Sequence, residues 1–509
     1  MNFVSPQFLF FLLAFLVIRW VIFPIFVSRF LGNTSEHNPL APSIAEKTTN
    51  QSLLILILLL GSYLFYASWN YKFLGLILFT SVSDFLIGKE IYKSNEISRR
   101  KCFLFLSIFL NLSILGFYKY SSFFLQNIFS MGNVLGFSFS PISWNVLLPA
   151  GISFYTFQSI SYTVDVYRKI LPAEQNFFRY ALFLAFFPQL VAGPIVMARE
   201  FLPQILNAYR QKFSEISLNK AFYFILLGFV KKSVIADNIS VITDLVFSNP
   251  EQIKVLSWSY IAMGMVAYSI QIYGDFSGYT DIARGVALLF GFSLPENFNL
   301  PYFASSITNF WQRWHISLSS WLRSYLYIPL GGNRNGLLFT YRNLFLTMLL
   351  GGLWHGANWN FLIWGGLHGV YLGLERFFSN KWNLTVLFSD VRPFYKLLIK
   401  VFYSGYTFIL VTCFWVFFRA SNLSIVKSLF WGVLELQEGI KPNYAIEQKF
   451  YSIAMIVFLG HCIGFFYKDK IQEKLKETNR SWQFGLYAFL TILAVIYSGE
   501  LKPFIYFVF

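Results

Sequence analysis

Long apolar runs separated by short polar breaks occupy the chain from Phe8 to Phe509. An outer-membrane barrel would alternate apolar and polar residues over segments of about 10 residues. Leu53 to Leu60 is instead continuously apolar. Crossing hydrocarbon as a helix takes about 20 residues, and the runs predict an all-α, polytopic membrane helix bundle of roughly ten to thirteen spans. The first run, Phe8 to Phe30, is too long for a secretory signal, lacks a preceding basic region and carries Arg19 internally, so it reads as an uncleaved span. Further early spans are expected at about 52–70, 73–88 and 102–119.

Several stretches depart from this pattern. Residues 31–50 form a polar linker with Pro39 and Pro42, and 121–144 is less apolar and reads as interfacial. From Leu148 to Glu200 the breakers Pro149, Gly151, Pro188, Gly193 and Pro194 interrupt apolar sequence. Irregular backbone at membrane depth has to be buried in protein or line a wet cavity, so this region is expected to hold a tunnel or re-entrant segment. A second such region is expected from Tyr273 to Gly291. Over 310–326, Phe310, Trp314, Leu318, Trp321 and Tyr325 recur at helical spacing beside a polar stripe of Arg313, Ser317, Ser320 and Ser324. That pattern predicts one amphipathic helix lying at an interface or across the bundle. The next span, about 340–354, brings His355 to its C-terminal end. No internal repeat and no soluble domain is evident, so 1–509 reads as a single integral membrane domain with its candidate functional core at 148–375.

A formal net charge of +16 would suggest nucleic acid in a soluble chain. Here the Lys and Arg residues gather at span ends, where they set topology, and the partner implied is the lipid bilayer, not nucleic acid. Lys93 to Lys101 and Lys468 to Arg480 are the clearest cytoplasmic loops, which leaves the N-terminus outside. Cys102, Cys413 and Cys462 show no paired spacing, so neither a disulfide framework nor a thiolate metal site is implied.

The candidate chemistry lies with two of only five histidines, His315 in Trp311-Gln312-Arg313-Trp314-His315 and His355 in Gly351-Gly352-Leu353-Trp354-His355-Gly356. An ionisable side chain among apolar neighbours in a membrane protein is a functional hypothesis by default. The bland alternative is a structural hydrogen bond near the headgroups, where tryptophan also accumulates. His37, His368 and His461 have nothing beside them that lifts them above it. A haem or metal site could use both histidines with Asp275 or Asp281, but no His-x-x-x-His or His-x-x-His spacing makes it specific. A transporter would explain the broken helices and the intramembrane aspartates, though it lacks an internal repeat. The catalytic alternative makes one histidine a general base, kept neutral by apolar burial, while a second histidine or an amide stabilises a developing oxyanion. Gly351, Gly352 and Gly356 would let a backbone or a substrate approach His355, and Asn358 is a polar neighbour. His355 and His368 fall on different faces of one continuous helix, about 20 Å apart, and are not expected to share a site. His315 and His355 can meet only through tertiary packing.

Several motifs decide among these readings. Asp275-Phe276-Ser277-Gly278-Tyr279-Thr280-Asp281, Asn297-Phe298, Pro301-Tyr302, Phe310 to Ser319 and Tyr327-Ile328-Pro329-Leu330-Gly331-Gly332-Asn333-Arg334 together resemble the membrane-bound O-acyltransferase family. Gly151 to Gln158, Asp165 to Arg168, Phe187 to Ile195, Lys231 to Asp237 and Lys502 to Tyr506 extend the resemblance along the chain, which is similar to the family's bacterial branch of alginate O-acetyltransferase and teichoic acid D-alanyl transfer subunits. Gly351 to Ala357 matches the segment carrying the family's invariant histidine.

The resemblance implies that His355 is the catalytic histidine and His315 its partner across a central tunnel, at a position where the family tolerates Asn. It implies an inner-membrane enzyme that passes an acyl group, acetyl in the alginate-like branch, from a cytoplasmic thioester to an extracytoplasmic hydroxyl. Acetyl-coenzyme A is the expected donor, an acyl-carrier-protein thioester the alternative, and no bound cofactor or metal is expected. A glycan acceptor and a separate periplasmic acetyltransferase or serine-hydrolase-like partner are implied. Lys231, Lys232 and Arg323, with Arg313 and Asn358, are candidate substrate contacts. Asp275 and Asp281 are motif residues expected to pair structurally with Arg284 or Arg313.

Overall fold

The computed structural model describes residues 3–31, 44–137, 146–191, 193–381, 393–475, 481–500 and 502–505. The described chain is helical, with no strand and one isolated bridge between Leu256 and Ile440. A backbone in hydrocarbon must satisfy its own N–H and C=O groups, and helices do so within a single segment. Six helical stretches among the described residues have the length and composition to cross a membrane: Pro6–Arg29, Thr49–Lys93, Ile97–Val134, Leu337–His355, Phe394–Arg419 and Tyr444–Ile471. The second is divided near its middle, where Asn70 becomes extended and its side chain accepts from the Lys72 N–H at 3.0 Å. The larger number expected from apolar runs also counted long helices richer in polar side chains, such as Trp258–Leu289 and Trp359–Lys381. Phe10, Leu64, Phe105 and Phe402 point outward from the apolar helices, as side chains facing lipid do. Of the expected linker, 32–43 lies outside the described residues, and its last part opens the Ile44–Asn70 helix. Residues 121–134, expected at an interface, extend the apolar stretch that begins at Ile97, while 138–145 lie outside the described residues.

The chain forms two compact units. The first contains residues 1–225 and 281–295. It contains a buried polar network: Asp84 accepts from Asn111 Nδ2 at 2.6 Å and from Ser159 Oγ, Ser159 meets Tyr180 Oη at 2.8 Å, and Ser107 meets Thr163 at 2.9 Å. Such bonds join helices that have no hydrophobic reason to prefer each other over lipid tails. The Pro and Gly breakers accompany buried, irregular backbone at Phe186 and at 193–197, beside the short helix Phe187–Leu190. Gly151, at φ 72°, lies so near that stretch that a Cβ would stand 2.3 Å from the Leu190 carbonyl oxygen. Arg19 is buried and donates to the Ala208 carbonyl at 2.8 Å, Asp165 pairs with Arg199 at 3.4 Å, and Asp281 pairs with Arg284 at 3.5 Å.

The second unit contains residues 226–280 and 296–509. Its core is aromatic, with Trp314, Trp364 and Trp415 almost fully buried. Of the irregular region expected at 273–291, residues 273–289 instead belong to one unbroken helix, Trp258–Leu289. Its glycines admit a neighbouring helix: a Cβ at Gly278 would stand 2.8 Å from the Gly228 carbonyl oxygen, and one at Gly274 would stand 2.9 Å from that of Lys231.

Candidate active site

The amphipathic helix expected over 310–326 is broken at His315. Ile307–Trp311 ends in a turn, His315 takes left-handed backbone angles of φ 43° and ψ 54°, and Ile316–Leu322 starts immediately after it. The segment's aromatic face packs into the bundle, one of the two placements expected: Trp314 packs on Phe298 and Trp415, both at 5.0 Å between ring centroids. Left-handed backbone costs a residue with a Cβ about 1–2 kcal/mol. Asn297 compensates for it. Its carbonyl oxygen accepts from the Ile316 N–H at 3.0 Å, and its side-chain Oδ1 accepts from the Ser317 N–H at 3.1 Å and Ser317 Oγ at 2.9 Å. Each such bond contributes about 0.5–1.5 kcal/mol, enough together to hold the break. His315 Nδ1 lies 3.2 Å from the same Asn297 Oδ1.

His355 is the last residue of Leu337–His355, which stops because Gly356 is extended at φ −167°. The following helix, Trp359–Lys381, folds back against it through glycines. A Cβ at Gly352 would stand 2.2 Å from the Phe361 carbonyl oxygen, and one at Gly365 would stand 2.3 Å from that of Met348. Gly352 thus admits a helix backbone. Asn358 opens the second helix by accepting from the Asn360 N–H at 2.9 Å and donates to the Ser421 carbonyl at 3.3 Å. Asn360 donates to the Ala420 carbonyl at 2.7 Å.

Trp354 contacts both histidines. The His355 ring meets Trp354 at 4.8 Å, Trp364 at 5.1 Å and Phe418 at 5.1 Å, and the His315 ring meets Phe276 at 4.7 Å and Trp354 at 6.2 Å. Both imidazoles lie against Trp354, so their centroids are at most about 11 Å apart, the sum of the two distances to that indole. Complete burial pushes the His315 imidazolium down to about 3, which keeps the ring neutral near pH 7.

His368 corrects an expectation. The separation of about 20 Å expected along one helix does not hold, because both rings contact Trp364, His355 at 5.1 Å and His368 at 4.9 Å. The turn at 356–358 reverses the chain, so spacing along one helix does not apply. His368 Nδ1 accepts from Trp311 Nε1 at 3.2 Å. His461 lies in another aromatic nest, with Tyr273 and Tyr302, its Nδ1 2.9 Å from the Val457 carbonyl oxygen, and His37 lies outside the described residues.

Most of the candidate substrate contacts are engaged by other protein groups. Lys232 is buried, with its ammonium 2.7 Å from both Asp237 and Asp275, so it faces carboxylates and not a mouth that could receive phosphate. This also corrects the pairing expected for Asp275, whose partner is Lys232; its other oxygen accepts from the Ile505 N–H at 2.9 Å. Phe504 packs beside this cluster, 4.3 Å from the Tyr279 ring. Lys231 lies over the Tyr273 ring at 5.8 Å. Arg313 donates to Asn309 Oδ1 at 3.0 Å and to the Asn299 carbonyl at 3.3 Å, whereas Arg323 is exposed. Among the described residues, no group of three His, Cys, Asp or Glu side chains could hold a metal ion.

Residues 168–419 match the membrane-bound O-acyltransferase family. Over 417 residues the chain is 42% identical to the probable alginate O-acetylase AlgI of Pseudomonas putida, covering 80% of this chain and 81% of that protein. The chain belongs to the membrane-bound O-acyltransferase family. This membrane acyltransferase is also 37% identical to the peptidoglycan O-acetyltransferase of Helicobacter pylori, over 81% of this chain and 77% of that one. The teichoic acid D-alanyltransferase of Bacillus subtilis is 30% identical over 47% of this chain and 61% of its own. The acyltransferase match contains His315, His355 and the aromatic residues around them. Asn297, Trp364, Phe418 and Asn360 also shape this site and were not singled out from sequence. Asn297 stood in a quoted motif, but nothing local showed which side chain it would hold.

Proposed function

We propose that this acyltransferase moves an acetyl group from a cytoplasmic thioester to a hydroxyl beyond the bacterial inner membrane, on an exported glycan or a periplasmic partner protein that passes it on. The observation that carries the reading is the burial of His315 and His355 against one indole inside the matched region. The fuller coverage by O-acetyltransferases than by the D-alanyltransferase supports acetyl over alanyl. In the reaction, the acceptor oxygen attacks the thioester carbonyl carbon, its proton passes to His355, the C–S bond breaks, and the thiolate takes the proton from His355. A neutral base in water-poor surroundings suits this step, because the attacking oxygen is then poorly solvated and the thioester is shielded from hydrolysis. Acetyl-coenzyme A is the proposed donor.

The test compares ester-linked acetyl on the surface glycan in cells making wild type, His355→Ala and His315→Ala at equal membrane levels. Loss in His355→Ala and a smaller reduction in His315→Ala are expected. Wild-type ester content in His355→Ala overturns the assignment. Proteoliposomes given labelled acetyl-coenzyme A or a labelled acyl-carrier-protein thioester identify the donor.

A further inference from the structure

The Asn297 side chain has a fixed orientation. Its Oδ1 accepts from the Ser317 backbone N–H, which can only donate, so the oxygen and not the amide nitrogen faces that side. His315 Nδ1 approaches the same oxygen at 3.2 Å. Two lone pairs at that distance would repel, so Nδ1 carries the ring hydrogen. A neutral imidazole has one N–H, which leaves Nε2 as a bare acceptor. That atom is buried and has no hydrogen-bond partner among the described residues.

The support behind Asn297 is braced from both ends. Lys468 holds Glu296 at 2.8 Å and Asn299 Oδ1 at 3.0 Å, the Asn299 N–H donates to the Arg313 carbonyl at 2.9 Å, and Arg313 returns a bond to the Asn299 carbonyl. Left-handed residues flank the construction at Leu300 and His315. Backbone strain persists only where the surroundings over-determine it.

We infer that Asn297 is a positioning residue that fixes His315 as its Nδ1–H tautomer, so that Nε2 accepts a hydrogen bond from a substrate donor other than the attacking hydroxyl, whose one hydrogen passes to His355, and cannot donate one to a developing oxyanion. This deepens the acyl-transfer reading and rests on it. His315 then orients the bound substrate through a neighbouring donor group, and oxyanion stabilisation falls to other donors.

The test is magic-angle-spinning NMR of the full-length protein in lipid bilayers with ¹⁵N-labelled histidine, the His315 signals being assigned by their loss in His315→Gln. Protonated and bare ring nitrogens have distinct shifts, and His315 is expected to show a protonated Nδ1 and a bare Nε2 from about pH 8 to about pH 5. A protonated Nε2 in the wild-type protein overturns the inference. Asn297→Asp, which keeps the acceptor oxygen, is expected to retain the tautomer and most of the activity. Asn297→Leu is expected to mix the tautomers and lower kcat by about 10–100-fold with the donor KM unchanged. Unchanged His315 signals in Asn297→Leu also overturn the inference, and if that variant does not reach the membrane the wild-type spectrum decides. The spectrum reads the ring whatever the reaction, whereas failure of the acyl-transfer reading appears as full activity in His355→Ala.

Discussion

Gly352→Ala adds one methyl group where the two helices of the His355 hairpin touch. The new Cβ would lie 2.2 Å from the Phe361 carbonyl oxygen and 3.0 Å from Gly365 Cα, against an ordinary contact of 3.4 Å or more. Both obstacles are backbone, so no side chain can turn aside and the helices must separate by about 1.2 Å, the difference between those distances. Overpacking of this kind costs about 1–3 kcal/mol. The better helix propensity of alanine returns up to about 1 kcal/mol, so the net loss is about 1–2 kcal/mol and the protein still folds. Activity suffers more than stability. His355 lies less than one helical turn beyond Gly352 and meets Trp364, the residue before Gly365, so the separation opens that contact. A displacement of about 1 Å at a reacting group costs roughly 100-fold. Gly366→Ala is the matched control, because its Cβ meets nothing nearer than 3.7 Å. The assay measures melting temperature in detergent and acetyl transfer in membranes at equal protein levels. Wild-type transfer by Gly352→Ala, or an equal loss in Gly366→Ala, would refute the reasoning.

Asp275→Ala removes one partner of the buried Lys232 and the acceptor of the Ile505 N–H, and is expected to cost about 3–5 kcal/mol and to free segment 502–505, seen as a lower melting temperature and faster trimming by carboxypeptidase. Asp84→Asn is expected to be tolerated within about 1 kcal/mol, because the partners of Asp84 are neutral donors and an amide oxygen can replace the carboxylate; Asp84→Leu, which leaves Asn111 and Ser159 unpartnered, is expected to lower the melting temperature clearly. His315 titrates near 3 when folded and near 6.5 when unfolded, so below pH 6.5 the unfolded chain takes up a proton that the folded one refuses. Stability is therefore fully present above pH 6.5 and falls as the pH drops toward 3; His315→Asn is expected to lose less stability over that window, measured by melting temperature against pH.

The membrane class and early helices were legible because lipid imposes a simple rule: apolar runs near Leu53, Phe73 and Cys102 became helices at about the expected places. Buried irregular backbone near Gly151 and Pro188 was legible for the same reason, since the Pro and Gly residues mark it. The break at His315 was not. Helical spacing from Phe310 to Tyr325 is real, but it cannot register one left-handed residue held by Asn297, a partner outside the segment. Histidine tolerates left-handed backbone better than most residues, a faint clue that the periodicity overrode. Separating His355 from His368 failed because Gly356 and Asn358 were not read as a helix end and a helix start. The Lys232 cluster was misread because charge alone does not tell a mouth from a core; Asp237 and Asp275 become its partners only in three dimensions.

The docking of Ile505 on Asp275 gives biosynthesis an order. The two residues are 230 positions apart, so at about 5–20 residues per second the ribosome makes Ile505 roughly 10–50 s after Asp275. Lys232 already exists when Asp275 emerges and can pair with it early, but its second oxygen must wait with water or a borrowed donor. A nascent chain halted before residue 502 would carry that unsealed carboxylate, a persistent mark of incompleteness that membrane quality control could recognise. A fusion that replaces the segment rather than following it would leave the same mark.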